Sequence, residues 1–198
     1  MVMVIRGILA VVAAFVLGGL TSVGQQFLPE HLHSISNSAG SWTAICFAVL
    51  VLSRIRGWRA AGLGILVFIA LNEGYGLVTR LKGFDYGILF DTYWTVIAIV
   101  IGPIVGLAAS WVRSTRSALV ALGAAAPATV LVGEGVYGLL YVSDTTSPVY
   151  WVGSIVVGGL FVVLMAVFRV RHIGWGILSV ALTAIGAVFF VIAYSGLV

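Results

Sequence analysis

Residues 60–78 read AAGLGILVFIALNEGYGLV, an apolar and small-residue run interrupted by Asn72 and Glu73, with Arg80 and Lys82 just beyond it. At about 1.5 Å per residue, a helix of that length covers the roughly 30 Å of a bilayer's hydrocarbon core. The stretch therefore reads as a membrane span that carries a carboxylate. Hydrocarbon penalises such a group by a few kcal/mol, so Glu73 marks a site that needs a partner. A second stretch, Gly133-Glu134-Gly135-Val136-Tyr137-Gly138, repeats the pattern of an acid among glycines followed by a tyrosine.

Comparable apolar runs lie on either side, at 4–23, 38–53, 92–111, 117–140, 148–168 and 173–194. The expected fold is an all-α polytopic membrane protein of seven transmembrane helices in one transmembrane domain, 1–198. The 38–53 run is short and can begin earlier, within 34–37. Pro103 and Pro127 fall inside spans, where kinks are expected and neighbouring helices re-satisfy the freed carbonyls. The opening Arg6 and apolar run look like a signal peptide, but no A-x-A site follows, and the segment is expected to remain as the first helix.

Composition agrees with this reading. With 62% hydrophobic and 8% charged residues and a mean hydropathy of +1.20, the chain has too little polar surface to coat a soluble globule. Its basic residues sit at helix ends without interleaved aromatics, which argues against nucleic acid as a partner. Cys46 is the single cysteine, so neither a disulfide framework nor a CxxC metal site is available. There is no Walker A, no H-E-x-x-H and no placeable Ser/His/Asp set, so no enzyme activity, cofactor or metal is expected.

Arg6, then Arg54, Arg56 and Arg59, then Arg113 and Arg116, then Arg169 and Arg171 recur at alternate helix ends, leaving Arg80 and Lys82 on the other side. The positive-inside rule then puts the N-terminus in the cytoplasm and, after seven crossings of the plasma membrane, the C-terminus outside. Trp42, Trp94 and Trp151 open the even-numbered spans in similar contexts, and Gly24-Gln25-Gln26 corresponds to the two acid-bearing stretches. The chain thus reads as three helical hairpin repeats, about 1–56, 57–113 and 114–171, plus a closing helix, 172–198.

The candidate ligand-binding residues follow from depth. Counted from Arg59, Glu73 lies roughly 21 Å up, and counted from Arg116, Glu134 lies roughly 27 Å up, nearer the outer edge. With Asn72, Gln25, Gln26, Asp91, Tyr137, Trp94 and Trp151, the two acids can line a cavity open to the outside, with Glu73 the more important. Alternatively they pair with Arg80, Lys82, tyrosines or backbone and lock helices together, and the tryptophans form an interfacial belt. The segment 25–38, with Pro29, Glu30, His31 and His33, can form a lid or re-entrant loop; two histidines alone do not make a metal site. Gly7, Ala10, Ala14 and Gly18 make a small-residue stripe suited either to packing within the chain or to docking another membrane subunit.

In size and layout, and in Ala10 and Ala14 as an A-x-x-x-A pattern on the first helix, the chain resembles the substrate-capture subunits (S components) of energy-coupling-factor vitamin importers. Among these it is most similar to the hydroxymethylpyrimidine and thiamin-related members, which also carry acids at outer helix ends followed by small residues. It also resembles uncharacterised actinobacterial multi-pass membrane families. The first resemblance implies capture of a small polar solute, cationic or amino-heteroaromatic, from the outer side. It also implies docking to a transmembrane coupling subunit and its ATPases. A self-sufficient proton- or cation-coupled carrier and a non-transporting scaffold or lipid-interacting protein are the other classes the sequence allows.

Overall fold

The computed structural model describes residues 1–87 and 93–196, and among them the chain is helical without a strand. The helices are α1 (Val2–Phe27), α2 (His33–Ser36), α3 (Ala39–Ser53), α4 (Trp58–Leu81), α5 (Tyr93–Trp111), α6 (Ser117–Tyr137), α7 (Pro148–Phe168) and α8 (Ile173–Ser195). A π-helical turn, Gly138–Val142, prolongs α6. Helices α1, α4, α5, α6 with its extension, α7 and α8 are each long and apolar enough to cross a membrane, and Glu30–Ser36 with Ala39–Ser53 forms a further pair bent by 54°. The protein is an all-α, multi-pass membrane protein. Both prolines lie inside continuous helices, Pro103 in α5 and Pro127 in α6.

The chain divides into two compact units. The first comprises Met1–Leu28 and Ala44–Ser110, the second Pro29–Thr43 and Trp111–Val198.

In the first unit α1 lies directly on α4. A Cβ on Gly18 would stand 1.9 Å from the Leu71 carbonyl oxygen, and one on Gly74 would stand 1.9 Å from that of Phe15. In a lipid solvent helices gain little from hiding apolar surface, so close backbone approach across small residues is what holds such a pair. Contacts climb together along the two helices: Arg59 reaches Met3 at one end, and Ser22 bonds Thr79 near the other, at 2.8 Å. The helices therefore run parallel. Parallel neighbours require the chain to return between them, and α3 is the only connection available. At about 1.5 Å per residue its 15 residues reach roughly 22 Å, short of a full crossing, and the bent segment ahead of it supplies the rest. Among the described residues six helices are long enough to cross, and the bent pair makes a seventh crossing if it acts as one broken span.

Helix α3 ends at Arg54, whose φ of 58° turns the chain out of the helix, and Gly57 at φ 63° admits it to α4 in a conformation that only glycine adopts easily. On its other side α4 meets α5 through Gly64 and Gly106, each of whose Cβ would stand 2.0 Å from a carbonyl oxygen of the facing helix.

The second unit uses the same device. Helix α6 runs parallel to α8, with Gly186 against Thr129, Gly133 against Phe190, and the Tyr137 and Tyr194 rings 4.9 Å apart. Helix α7 is the return helix and packs on α6 through Gly135 and Gly158. Ser147 accepts from the Val149 N–H, and Pro148 takes the first helical position, where no N–H is needed. Helices α4 and α6, the two that carry acids, are also the most enclosed.

A crossing by α3 has a direct check. In a Cys46→Ala background, single cysteines at the exposed positions His31 and Arg56 are expected to react with an impermeant thiol reagent from opposite sides of the membrane. Reaction of both from one side would make the bent pair re-entrant.

Candidate functional site

The two acids sit in different units and in different chemistry. Glu134, on α6, faces the start of α3. Its Oε1 accepts from the Ala39 N–H at 2.6 Å and its Oε2 from the Gly40 N–H at 2.8 Å. The next N–H, that of Ser41, donates to Ser38 Oγ at 3.1 Å, and Trp42 begins the helical ladder by donating to the Ser38 carbonyl. The first N–H groups of a helix have no partner within it and carry partial positive charge, so a carboxylate is their natural complement. Here that carboxylate comes from another helix. Tyr150 donates to Glu134 Oε2 at 3.3 Å and is hydrogen-bonded to Ser38 Oγ. Gly40 leaves the necessary room, because a Cβ there would stand 2.5 Å from Oε2. Glu134 is only 3% exposed. It is a remote helix cap.

Sequence depth put Glu134 nearer the outer edge, and in the structure its carboxylate turns inward onto the start of α3. The other candidates of this unit are likewise engaged. Tyr137 is buried and joins Tyr141, Tyr194 and Phe190 in an aromatic cluster. The Trp151 ring covers Gly138 and its indole N–H donates to Thr146 Oγ1 at 2.9 Å. Trp42 likewise donates to the Ser36 carbonyl at 3.1 Å. These two tryptophans, which open α7 and α3, tie their helix to the segment just before it. Ser36 Oγ is buried and has no hydrogen-bond partner among the described residues, an arrangement that costs on the order of 1–3 kcal/mol.

In the first unit Glu73 lies on the enclosed side of α4, beside Asn72, whose amide reaches Glu73 Oε1 at 3.5 Å, the long limit of a hydrogen bond. The loop after α4 folds back over this point. Tyr86 donates its phenol to Asn72 Oδ1 at 2.7 Å, and its ring lies where a Cβ on Gly76 would be, 2.7 Å from the nearest ring carbon. Tyr75 meets it edge-on with ring centres 5.3 Å apart, and donates in turn to Gln25 Oε1 at 2.8 Å. Arg80 donates to the Gly87 carbonyl at 2.6 Å and Lys82 to the Ser22 carbonyl at 2.6 Å, so both cations stitch the loop and α1 to α4. Glu73, Asn72 and Gln25 are thus brought into one cluster. Gln26 is exposed, Trp94 is half-buried with its ring against Tyr93, and Asp91 lies outside the described residues.

The residue that sequence reasoning missed is Tyr86. Its signal is indirect: Gly76 is one side chain short on the face that Tyr86 fills. Burial pushes the Tyr86 phenol above its ordinary value, and the neighbouring Tyr75 and Glu73 push in the same direction, against Arg80. The phenol therefore stays a neutral donor beyond the usual range near 10. A group whose folded pKa is raised adds stability that is complete below the unfolded pKa and disappears as pH rises through the folded one. In an ultraviolet pH titration, the difference between wild type and Tyr86→Phe is expected to be a phenol ionising later than a free tyrosine. A difference titrating at the ordinary value would place Tyr86 in solvent.

The small-residue stripe is occupied by the protein itself. Ala10, Ala14 and Gly18 are buried, with Gly18 on Leu71, and a Cβ on Gly7 would touch Ile55. Among the described residues no group of three or more His, Cys, Asp or Glu could hold a metal ion. His31 and His33 are exposed.

Residues 1–197 match the model of a family of unknown function (DUF6518). No curated protein and no solved structure matches the chain.

Proposed function

The chain belongs to this family of unknown function, and we propose that it binds a small polar solute, cationic or amino-heteroaromatic, within the membrane at the Tyr86 end of α4. We place it as the substrate-capture subunit of an importer in the plasma membrane. The contrast between the two acids carries this reading. Glu134 has both oxygens committed to the backbone N–H groups of Ala39 and Gly40. Glu73 instead lies among side chains, beside the Asn72 amide and close to the Tyr86 phenol of the loop. Side chains can swing aside for a ligand at little cost in backbone hydrogen bonds, and a buried carboxylate beside aromatic rings suits a planar cation.

The positive-inside rule adds the orientation: the arginine-bearing helix ends are cytoplasmic and the Tyr86 end faces outward. A coupling subunit with its ATPases would dock elsewhere than on Ala10 and Ala14, which are buried within the protein.

Mass spectrometry of small molecules retained by the purified protein tests the proposal. Glu73→Gln is expected to abolish retention of the bound cation while shifting the melting temperature by less than about 3 °C, equivalent to roughly 1 kcal/mol. A clear fall in melting temperature with retention intact would make Glu73 structural. Flux of solute through the purified protein alone, driven by a pH gradient, would favour the self-sufficient carrier instead.

A further inference from the structure

At the opposite end of the first unit from Tyr86, a furrow of about 200 Å³ runs between α1 and α3, lined by Arg6, Leu9, Ala10, Ala13, Val49, Leu52 and Ser53. It is open to the surroundings, since Leu9 and Leu52 are largely exposed. The Ser53 hydroxyl is already used, donating to the Leu50 carbonyl at 2.7 Å and accepting from the Ile55 N–H at 3.2 Å. That leaves Arg6 as the polar group of the lining. Among the described residues no hydrogen bond or ion pair occupies its guanidinium.

We infer that this furrow is a binding site for an anionic phospholipid, with one acyl chain in the furrow and the phosphate on Arg6. A furrow with apolar walls in the hydrocarbon zone gives water too few partners, and left empty it forfeits dispersion contacts along its length. An acyl chain supplies those contacts. Ala13 lies seven residues beyond Arg6, about 10 Å along the helix, which matches the upper part of a chain hanging from a headgroup at Arg6. A guanidinium binds phosphate oxygens through two parallel N–H donors. The charge around it selects a headgroup with net negative charge. Arg54, Arg56 and Arg59 are exposed at the same end of the unit, while the unit's described acids, Glu73 and Asp85, belong to the other half of α4 and the loop beyond it.

The test uses protein equilibrated with vesicles of equal phosphatidylglycerol and phosphatidylcholine, extracted gently, with retained lipids counted by native mass spectrometry. Wild type is expected to retain phosphatidylglycerol over phosphatidylcholine by about 5-fold, the preference expected of roughly one well-placed arginine. Arg6→Gln should bring the ratio near parity. Ala13→Leu, which fills the furrow and keeps every charge, should do the same. Arg56→Gln, at the same end but outside the furrow, should lower the ratio far less than Arg6→Gln does. Equal losses in Arg6→Gln and Arg56→Gln would mean that general surface charge selects the lipid, and would overturn the site. Undiminished retention in Ala13→Leu, or no preference in wild type, would do so as well. Should Ala13→Leu not fold, the comparison of the two arginine variants decides alone.

Discussion

Glu134→Ala is expected to destabilise the protein by roughly 3–5 kcal/mol, more than any other single carboxylate removal in the chain. The loss has two parts. Charge-assisted hydrogen bonds to the Ala39 and Gly40 N–H groups disappear, and both donors, one part-buried and one buried, lose their acceptor. Glu134→Gln should recover little, because the amide offers one acceptor for two donors and sets its own NH₂ against a backbone N–H. Thermal unfolding in detergent measures the loss. Thiol labelling of an Ala39→Cys variant reports its location, with faster reaction expected in the Glu134→Ala background. An unchanged melting temperature would mean that α3 can cap itself, and that the carboxylate is spare.

Gly74→Ala should be nearly as damaging, by about 3 kcal/mol, although it adds a single methyl group. That methyl would stand 1.9 Å from the Phe15 carbonyl oxygen, which belongs to a helix backbone and cannot rotate away. Helices α1 and α4 must separate, and with them the small-residue contacts along the seam weaken. Gly153→Ala is the matched control. It lies in mid-helix on α7 with nothing within 4 Å of its Cβ position, and a glycine-to-alanine change there should be neutral or stabilise by up to about 1 kcal/mol. Similar melting temperatures for the two variants would show that the seam is not tightly closed.

The helical, multi-pass fold was legible because hydrocarbon leaves the chain few options. A backbone that must satisfy its own polar groups in lipid forms helices, and runs of about 20 apolar residues declare them. Even the short run at 38–53 proved informative, since in the structure it follows Glu30–Ser36 across a bend of 54°. Side-chain partners were less legible. Both Glu73 and Glu134 sit among glycines, and the pattern does not say what each glycine makes room for. Gly74 admits the α1 backbone and Gly76 the Tyr86 ring, while Gly135 admits the α7 backbone. The cap on α3 joins residues 95 positions apart, beyond any local periodicity. Ser38 ahead of Ser41 was a readable local cap, but it accounts for only one of the three N–H groups at the helix start.

That separation in sequence also orders events during synthesis. Ala39 leaves the ribosome 95 residues before Glu134, a gap of roughly 5–20 s at ordinary elongation rates. Throughout that interval the start of α3 has only Ser38 as a cap, and its first two N–H groups must be hydrated or held by the insertion machinery. The second unit cannot close until α6 has entered the membrane, even though its first piece, Pro29–Thr43, is made before α4 and α5. Nascent chains arrested after α5 should therefore keep residues 29–43 accessible to protease, and chains extended past α6 should protect them.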